Sequence, residues 1–336
     1  MLKRLCTVAA TLLALGATPA AAQDSARIEW KTFHSPAIEG NFEGNAAERG
    51  AFVVTPPGYD ENPGKRYPVV YFLHGYSATP QMYQEMATFD AAVQEAAATG
   101  NELIMVIPDG YSKHKGGFYS SSPTTGDYET FVARDLVQWV DANYRTIAER
   151  DSRGLSGHSM GGYGTIRIAM KQPETFSSIY MMSACCLEPM VLTPETAARI
   201  EGMSEADVAA ADFGGLAAIS TLVTWSPDPK DPGFLKADTG LKEDGTLDPL
   251  VNYRIAANSP IVLLPQYLPS LNGLEAFAMD IGDKDFLLEP NRLFREELDR
   301  FGVAYQFEQY EGDHGNRVAE RIRTKVLPFF GEHLDK

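Results

Sequence analysis

The sequence predicts an α/β protein: a mainly parallel central sheet with helices on both faces and an inserted cap. Three observations carry this. Residues 69–73 and 103–107 are unbroken apolar runs of strand length, the mark of strands buried on both faces. Segments of helical periodicity alternate with such strands, as crossover helices do in a parallel sheet. Between about residues 187 and 274 the alternation stops, and short helices and loops are expected instead.

Taken in order, residues 28–33 and 51–55 read as antiparallel edge strands, followed by the turn Pro56-Pro57-Gly58. Strand 69–73 leads to a helix over 83–99, strand 103–107 to a helix over 128–144, and strand 151–156 to a helix over 163–170. A strand over 178–183 precedes the irregular region. Beyond it come strand 276–281, helix 291–301, strand 304–310 and a closing helix from 317 towards 334. Inside the insertion, Pro227-Asp228-Pro229-Lys230-Asp231-Pro232-Gly233 excludes helix and central strand alike. The insertion leaves a strand at the carboxyl end of the sheet, where open α/β folds bind ligands, so it is expected to wall a pocket. Met190, Trp225, Phe234 and Leu235 are candidate lining groups, or else the cap's own small core.

The first 22 residues read as a signal peptide. Lys3 and Arg4 make a basic start, an apolar run follows, and Ala20-Ala21-Ala22 offers a cleavage site before Gln23. The run is short of the ~20 residues a spanning helix needs. A periplasmic or secreted protein with no membrane span is therefore expected. Of the formal charge of −16, Lys3 and Arg4 leave with the signal, and no basic stripe remains to meet nucleic acid. Cys6 leaves too, so the mature chain keeps only Cys185 and Cys186. Adjacent Cα atoms lie ~3.8 Å apart, below the usual disulfide range, so a vicinal bridge would be strained. Two reduced thiols and a labile vicinal disulfide both stay open.

The chemistry is read from Gly157-His158-Ser159-Met160-Gly161-Gly162. A serine between glycines, after a short strand and before a helix, describes an exposed nucleophile on a sharp turn. The neighbours two residues away must lack bulk, which Gly157 and Gly161 provide, while Gly162 and Gly164 allow close helix–sheet packing. The Met160 amide, at the positive end of the helix dipole, faces the place where an oxyanion would form. A second donor is expected from the loop Leu73-His74-Gly75-Tyr76-Ser77, most simply the Tyr76 amide.

A serine hydroxyl needs a base. His158 points away from Ser159 on the turn, His34, His74 and His333 lie elsewhere, and His114 is a weak rival in a loop. His314 follows the last strand in Gly312-Asp313-His314-Gly315-Asn316, where a side chain reaches the carboxyl edge, and is the preferred base. The acid should follow the preceding strand. In Ile281-Gly282-Asp283-Lys284-Asp285 the third residue past Gly282 falls over the pocket, favouring Asp285, with Asp283 as the fallback. Asp238, Asp244 and Asp248 are too irregularly spaced for a calcium loop and read as turn residues.

Together these residues resemble the putative esterase family of α/β-hydrolases, which includes esterase D (S-formylglutathione hydrolase), feruloyl esterases, enterochelin esterases and the antigen 85 mycolyltransferases. The likeness runs through Tyr67-Pro68-Val69-Val70-Tyr71-Phe72-Leu73-His74-Gly75, Ile107-Pro108-Asp109-Gly110, Tyr128-Glu129-Thr130-Phe131, Gly154-Leu155-Ser156-Gly157-His158-Ser159-Met160-Gly161-Gly162 and Tyr310-Glu311-Gly312-Asp313-His314. The resemblance implies an α/β-hydrolase fold and a triad of Ser159, Asp285 and His314. The charged Pro-Arg-Gly stretch of the glutathione-thioester branch is missing where Gly110-Tyr111-Ser112-Lys113-His114 stands, which disfavours formylglutathione. The expected activity is hydrolysis of a small-molecule or carbohydrate ester by a serine carboxylesterase, with no cofactor and no metal. An acyltransferase on the same triad, and a non-catalytic carbohydrate-binding or interaction module on the same fold, are the alternatives.

Overall fold

The computed structural model describes residues 25–336, so the expected signal peptide lies outside the described residues. Eight strands form one sheet: β1 Arg27–His34, β2 Glu48–Thr55, β3 Val69–Leu73, β4 Ile104–Pro108, β5 Arg153–His158, β6 Ser178–Met182, β7 Ala276–Gly282 and β8 Gln306–Tyr310. Their order is β1-β2-β4-β3-β5-β6-β7-β8. The β1–β2 and β2–β4 pairs are antiparallel and every later pair is parallel, as the patterning predicts. From β3 the chain steps to one side for β4 and to the other for β5. That reversal opens a crevice beyond the carboxyl ends of β3 and β5.

The continuous apolar runs are explained by the two faces they serve. Val69, Tyr71 and Leu73 point into one core with Tyr119, Phe131 and Ile166, whereas Val70 and Phe72 point into the other with Phe89, Val93 and Phe330. A strand covered on both sides has no position left for a polar side chain.

The expected helix over 83–99 is in fact two, α1 Pro80–Ala87 and α2 Phe89–Ala98. Thr88 between them is left-handed at φ 47°, and Arg323 from the closing helix donates to the Ala87 carbonyl exposed by the break. The turn drives Phe89 into the core beside Phe72, with ring centroids 5.5 Å apart. The helix over 128–143 contains a π-helical stretch, Phe131–Leu136, and the closing helix contains another, Ile322–Val326. The nucleophile helix, α3 Met160–Lys171, begins three residues before the apolar pattern does.

Between β6 and β7 lie Pro194–Glu201, Glu205–Ala210, α4 Phe213–Trp225 and Pro249–Ala256. Each starts on a side-chain cap, from Thr193, Ser204, Asp212 and Asp248 in turn, so the helices are punctuated where their first amides would lack partners. Thirteen residues of α4 exceed the short helices expected here. Asp238 and Asp244 accept turn amides, from Gly240 and Thr246.

Candidate active site

β5 delivers Ser159 to the crevice and α3 leaves from it. Ser159 has φ 59° and ψ −116°, a backbone conformation an L-residue rarely adopts. The turn closes only because its flanks are bare. A Cβ on Gly157 would stand 2.4 Å from the Gly161 carbonyl oxygen, and one on Gly161 would stand 1.9 Å from that of Leu73. The space over Gly164 is taken by the Tyr119 ring, 2.6 Å from a built Cβ, so this glycine admits a loop aromatic rather than bringing the helix to the sheet.

The loops after β7 and β8 meet above the same point. A Cβ on Gly282 would lie 2.3 Å from the Gly312 carbonyl oxygen, and Asp283 Oδ1 accepts the Gly312 N–H at 2.9 Å, which fixes one loop against the other. Asp283, the fallback acid, is thus a loop tie. Asp285 Oδ2 and Oδ1 lie 2.9 and 3.1 Å from His314 Nδ1, and His314 Nε2 lies 3.0 Å from Ser159 Oγ. Asp285 Oδ1 also accepts the Leu287 N–H at 2.9 Å. Burial alone would push the Asp285 carboxyl up, but the His314 ring and the Leu287 amide outweigh it and hold it below the usual carboxylate range. An ionised Asp285 keeps the proton on Nδ1 and leaves Nε2 free to accept from the serine.

The two amides proposed as oxyanion donors border the serine. Met160 is the first residue of α3, whose N–H has no intrahelical partner by position. Tyr76 follows Gly75, whose built Cβ lies 3.4 Å from Ser159 Cβ, so this loop passes directly over the nucleophile. Its outer side is braced by His74, which is buried, accepts the Gly110 N–H at Nε2 (2.9 Å) and contacts the Gly75 carbonyl at Nδ1 (2.9 Å).

His158 is where sequence reasoning fell short. Its ring does turn away from the Ser159 hydroxyl, but into a network: Nε2 lies 2.7 Å from the His314 carbonyl oxygen and Nδ1 lies 2.6 Å from Tyr83 Oη, which accepts the Gly75 N–H at 3.0 Å. Burial drives the imidazole pKa down to about 3, with the neighbouring His314 adding to the effect, so the ring is neutral. No local signal could have found these partners, which lie 75 and 156 residues away in the chain. His114 is removed from the base candidates, since its Nδ1 lies 2.7 Å from Glu43 Oε1 in a buried pair.

Ser159 and His314 open into a cavity of about 550 Å³ walled by Tyr76, Phe118, Phe213, Ala217, Phe286 and Leu287, together with Cys185 and Cys186. No Asp, Glu, Lys or Arg lines it. Phe213, 59% exposed, and Phe286, 70% exposed, stand at the mouth, the latter with its ring 4.7 Å from that of His314. None of Met190, Trp225, Phe234 and Leu235 reaches the cavity. Trp225 instead backs the Phe118 wall at 4.7 Å and donates to Ser120 Oγ, while the other three pack into the core beneath the insertion. Phe213 and Phe286 were missed. The second is adjacent to Asp285, a signal that could have identified it. Cys185 and Cys186 are unbridged, and the Cys186 thiol together with burial holds Cys185 well above the usual thiol range. Among the described residues no group of three or more His, Cys, Asp or Glu could hold a metal ion, and no helix is long and apolar enough to cross a membrane.

The family model described as "Putative esterase" matches residues 45–259, a span that includes Ser159 and ends before Asp285 and His314. Among curated proteins, an esterase of Mycobacterium tuberculosis is 35% identical over 133 residues, covering 38% of this chain and 27% of the relative. The S-formylglutathione hydrolase of Paracoccus denitrificans is 30% identical over 145 residues, covering 38% and 48%. The chain therefore spans between about a quarter and a half of the length of these relatives. Among solved structures, a ferulic acid esterase superposes with a TM-score of 0.66 at 21% identity, covering 93% of this chain and all of the other. A fluorophosphonate-binding serine hydrolase of Staphylococcus aureus gives 0.62 at 20% identity over 93% and 100%. With the strand order, the serine turn and a family match over more than half its length, the chain belongs to the putative esterase family and has the α/β-hydrolase fold.

Proposed function

We propose that this protein is a serine carboxylesterase. The observation that carries the reading is the unbroken run of hydrogen bonds from Ser159 Oγ through His314 to Asp285. Ser159 Oγ attacks the acyl carbon while His314 Nε2 takes its proton and then returns it to the departing alcohol. The developing oxyanion is held by the Met160 and Tyr76 amides, and water repeats the cycle to free the acid. Neither metal nor cofactor enters these steps.

The cavity favours an uncharged ester with apolar groups, because a buried ionic group there would lose its hydration with no counter-charge in return. An anionic glutathione thioester is disfavoured on the same ground. Labelling of folded protein with a fluorophosphonate probe tests the reading: wild type reacts and Ser159→Ala does not. An unlabelled wild type leaves the non-catalytic module. Product analysis with and without an added alcohol separates hydrolysis from acyl transfer to that alcohol. Export is proposed from residues 1–22 alone, and amino-terminal sequencing of the secreted protein, expected to start at Gln23, tests it.

A further inference from the structure

We propose that Tyr83 and His158 are positioning residues, a hydrogen-bonded bolt that holds the loop carrying the Tyr76 oxyanion donor at a fixed distance from the loop carrying His314. The proposal rests on the esterase reading above and adds two residues to it. Both line the cavity, and the His158 ring lies 4.7 Å from that of His314, but neither hydrogen-bonds Ser159 Oγ or the His314 ring.

The direction of every bond in the bolt follows from its ends. The His314 carbonyl can only accept, so His158 Nε2 must carry the proton of the neutral ring and donate at 2.7 Å. His158 Nδ1 is then bare and accepts the Tyr83 hydroxyl at 2.6 Å. Tyr83 Oη, having spent its proton, accepts the Gly75 N–H at 3.0 Å. One arrangement satisfies all three bonds and no competing one does, which makes the network rigid rather than adaptable.

Its location gives it a role. Gly75 immediately precedes Tyr76, and a Cβ on Gly75 would stand 2.7 Å from Tyr83 Oη, so glycine is the residue that lets the hydroxyl reach this amide. At the other end the bolt grips the backbone of His314 itself, whose ring holds Ser159 Oγ at 3.0 Å. The oxyanion donor comes from the loop after β3 and the base from the loop after β8, at opposite sides of Ser159. The Tyr83–His158 pair joins them by hydrogen bonds, at the Gly75 N–H on one side and the His314 carbonyl on the other. Tyr83 is itself anchored, buried on α1 with its ring 5.9 Å from that of Phe72. A helix supported by the core thus sets the spacing of two catalytic loops, and misplacement of a reacting group by about 1 Å costs on the order of 100-fold in rate.

Tyr83→Phe keeps the ring and its packing but strands the Gly75 N–H and His158 Nδ1. The expected result is a folded protein with kcat for a p-nitrophenyl ester reduced about 10- to 100-fold and KM unchanged. The affinity for an alkyl boronic acid, which forms a tetrahedral serine adduct, should fall by the same factor as kcat/KM. His158→Gln retains an N–H for the His314 carbonyl and should lose less activity than His158→Leu, and Tyr83→Phe combined with His158→Gln should be no worse than the more damaged single variant. Wild-type kcat in Tyr83→Phe, a loss confined to KM, or boronate affinity unmoved while kcat falls overturns the bolt and leaves the esterase reading intact. If Tyr83→Phe does not fold, equal activities of His158→Gln and His158→Leu overturn it. A wild type inert to both ester and fluorophosphonate overturns the esterase reading and the bolt with it.

Discussion

Replacing Asp285 by asparagine removes one charge and no volume, and the structure dictates how the new amide must lie. Leu287 N–H is held by Oδ1 at 2.9 Å, so the asparagine oxygen stays there, 3.1 Å from His314 Nδ1, and its NH₂ takes the nearer Oδ2 position at 2.9 Å. Two donors cannot face each other. His314 therefore moves its proton to Nε2, the nitrogen 3.0 Å from Ser159 Oγ, and can no longer accept the serine proton. Loss of the correct tautomer costs about 10⁴ in kcat, roughly 5 kcal/mol of barrier, with little change in KM. Asp283→Asn is the matched control: its Oδ1 accepts only the Gly312 N–H, a role an asparagine oxygen can keep, so its kcat should remain near wild type. Steady-state hydrolysis of a p-nitrophenyl ester by both variants, each verified as folded by thermal melting, decides the matter. A loss of less than about 10-fold for Asp285→Asn, or an equal loss for Asp283→Asn, would refute the assignment of the acid.

Further expectations follow from other sites. Asp280 is wholly buried between Arg321 and Tyr180, and burial raises its carboxyl pKa to about 6. A raised folded-state value favours the protonated native protein, so this contribution is fully present below the unfolded pKa and is lost as pH rises from about 4 through 6. Relative to Asp280→Asn, in which Glu308 still pairs Arg321, wild type should lose up to about 3 kcal/mol between pH 4 and 8, measured by urea unfolding. A pH-independent difference would show that Asp280 is not titrating there. Phe286→Ala strips the exposed ring that lies 4.7 Å from His314 at the cavity mouth, and should raise KM for apolar esters about 5-fold while leaving a short polar ester unaffected. Equal effects on both esters would deny Phe286 a part in binding.

The inner strands were readable because they obey one rule: β3 occupies Val69–Leu73, the apolar run that announces it, since burial on both faces leaves no alternation to misread. The convergence of Ser159, Asp285 and His314 was readable because strand ends and tight turns fix where short loops deliver their side chains. What escaped was set by contacts distant in sequence. The break at Thr88 has no glycine or proline to mark it and depends on Phe89 entering the core and on Arg323. The π-helical stretches carry the same residue pattern as ordinary helix. Met190, Trp225, Phe234 and Leu235 could be read equally as pocket lining or as the cap's own core, since composition shows which residues are apolar but not which side of a helix faces a cavity. His158 was dismissed with its geometry correctly anticipated, because what the ring turned towards was hidden.

The left-handed serine has an evolutionary price. Backbone of this kind costs about 1–3 kcal/mol for any residue with a side chain, and glycine escapes most of it. Ser159→Gly should therefore melt a few degrees above the wild-type protein while being unable to form an acyl-enzyme. Variants of this chain chosen only for heat resistance would drift towards that inert form, so a screen for a sturdier enzyme has to demand turnover at every round.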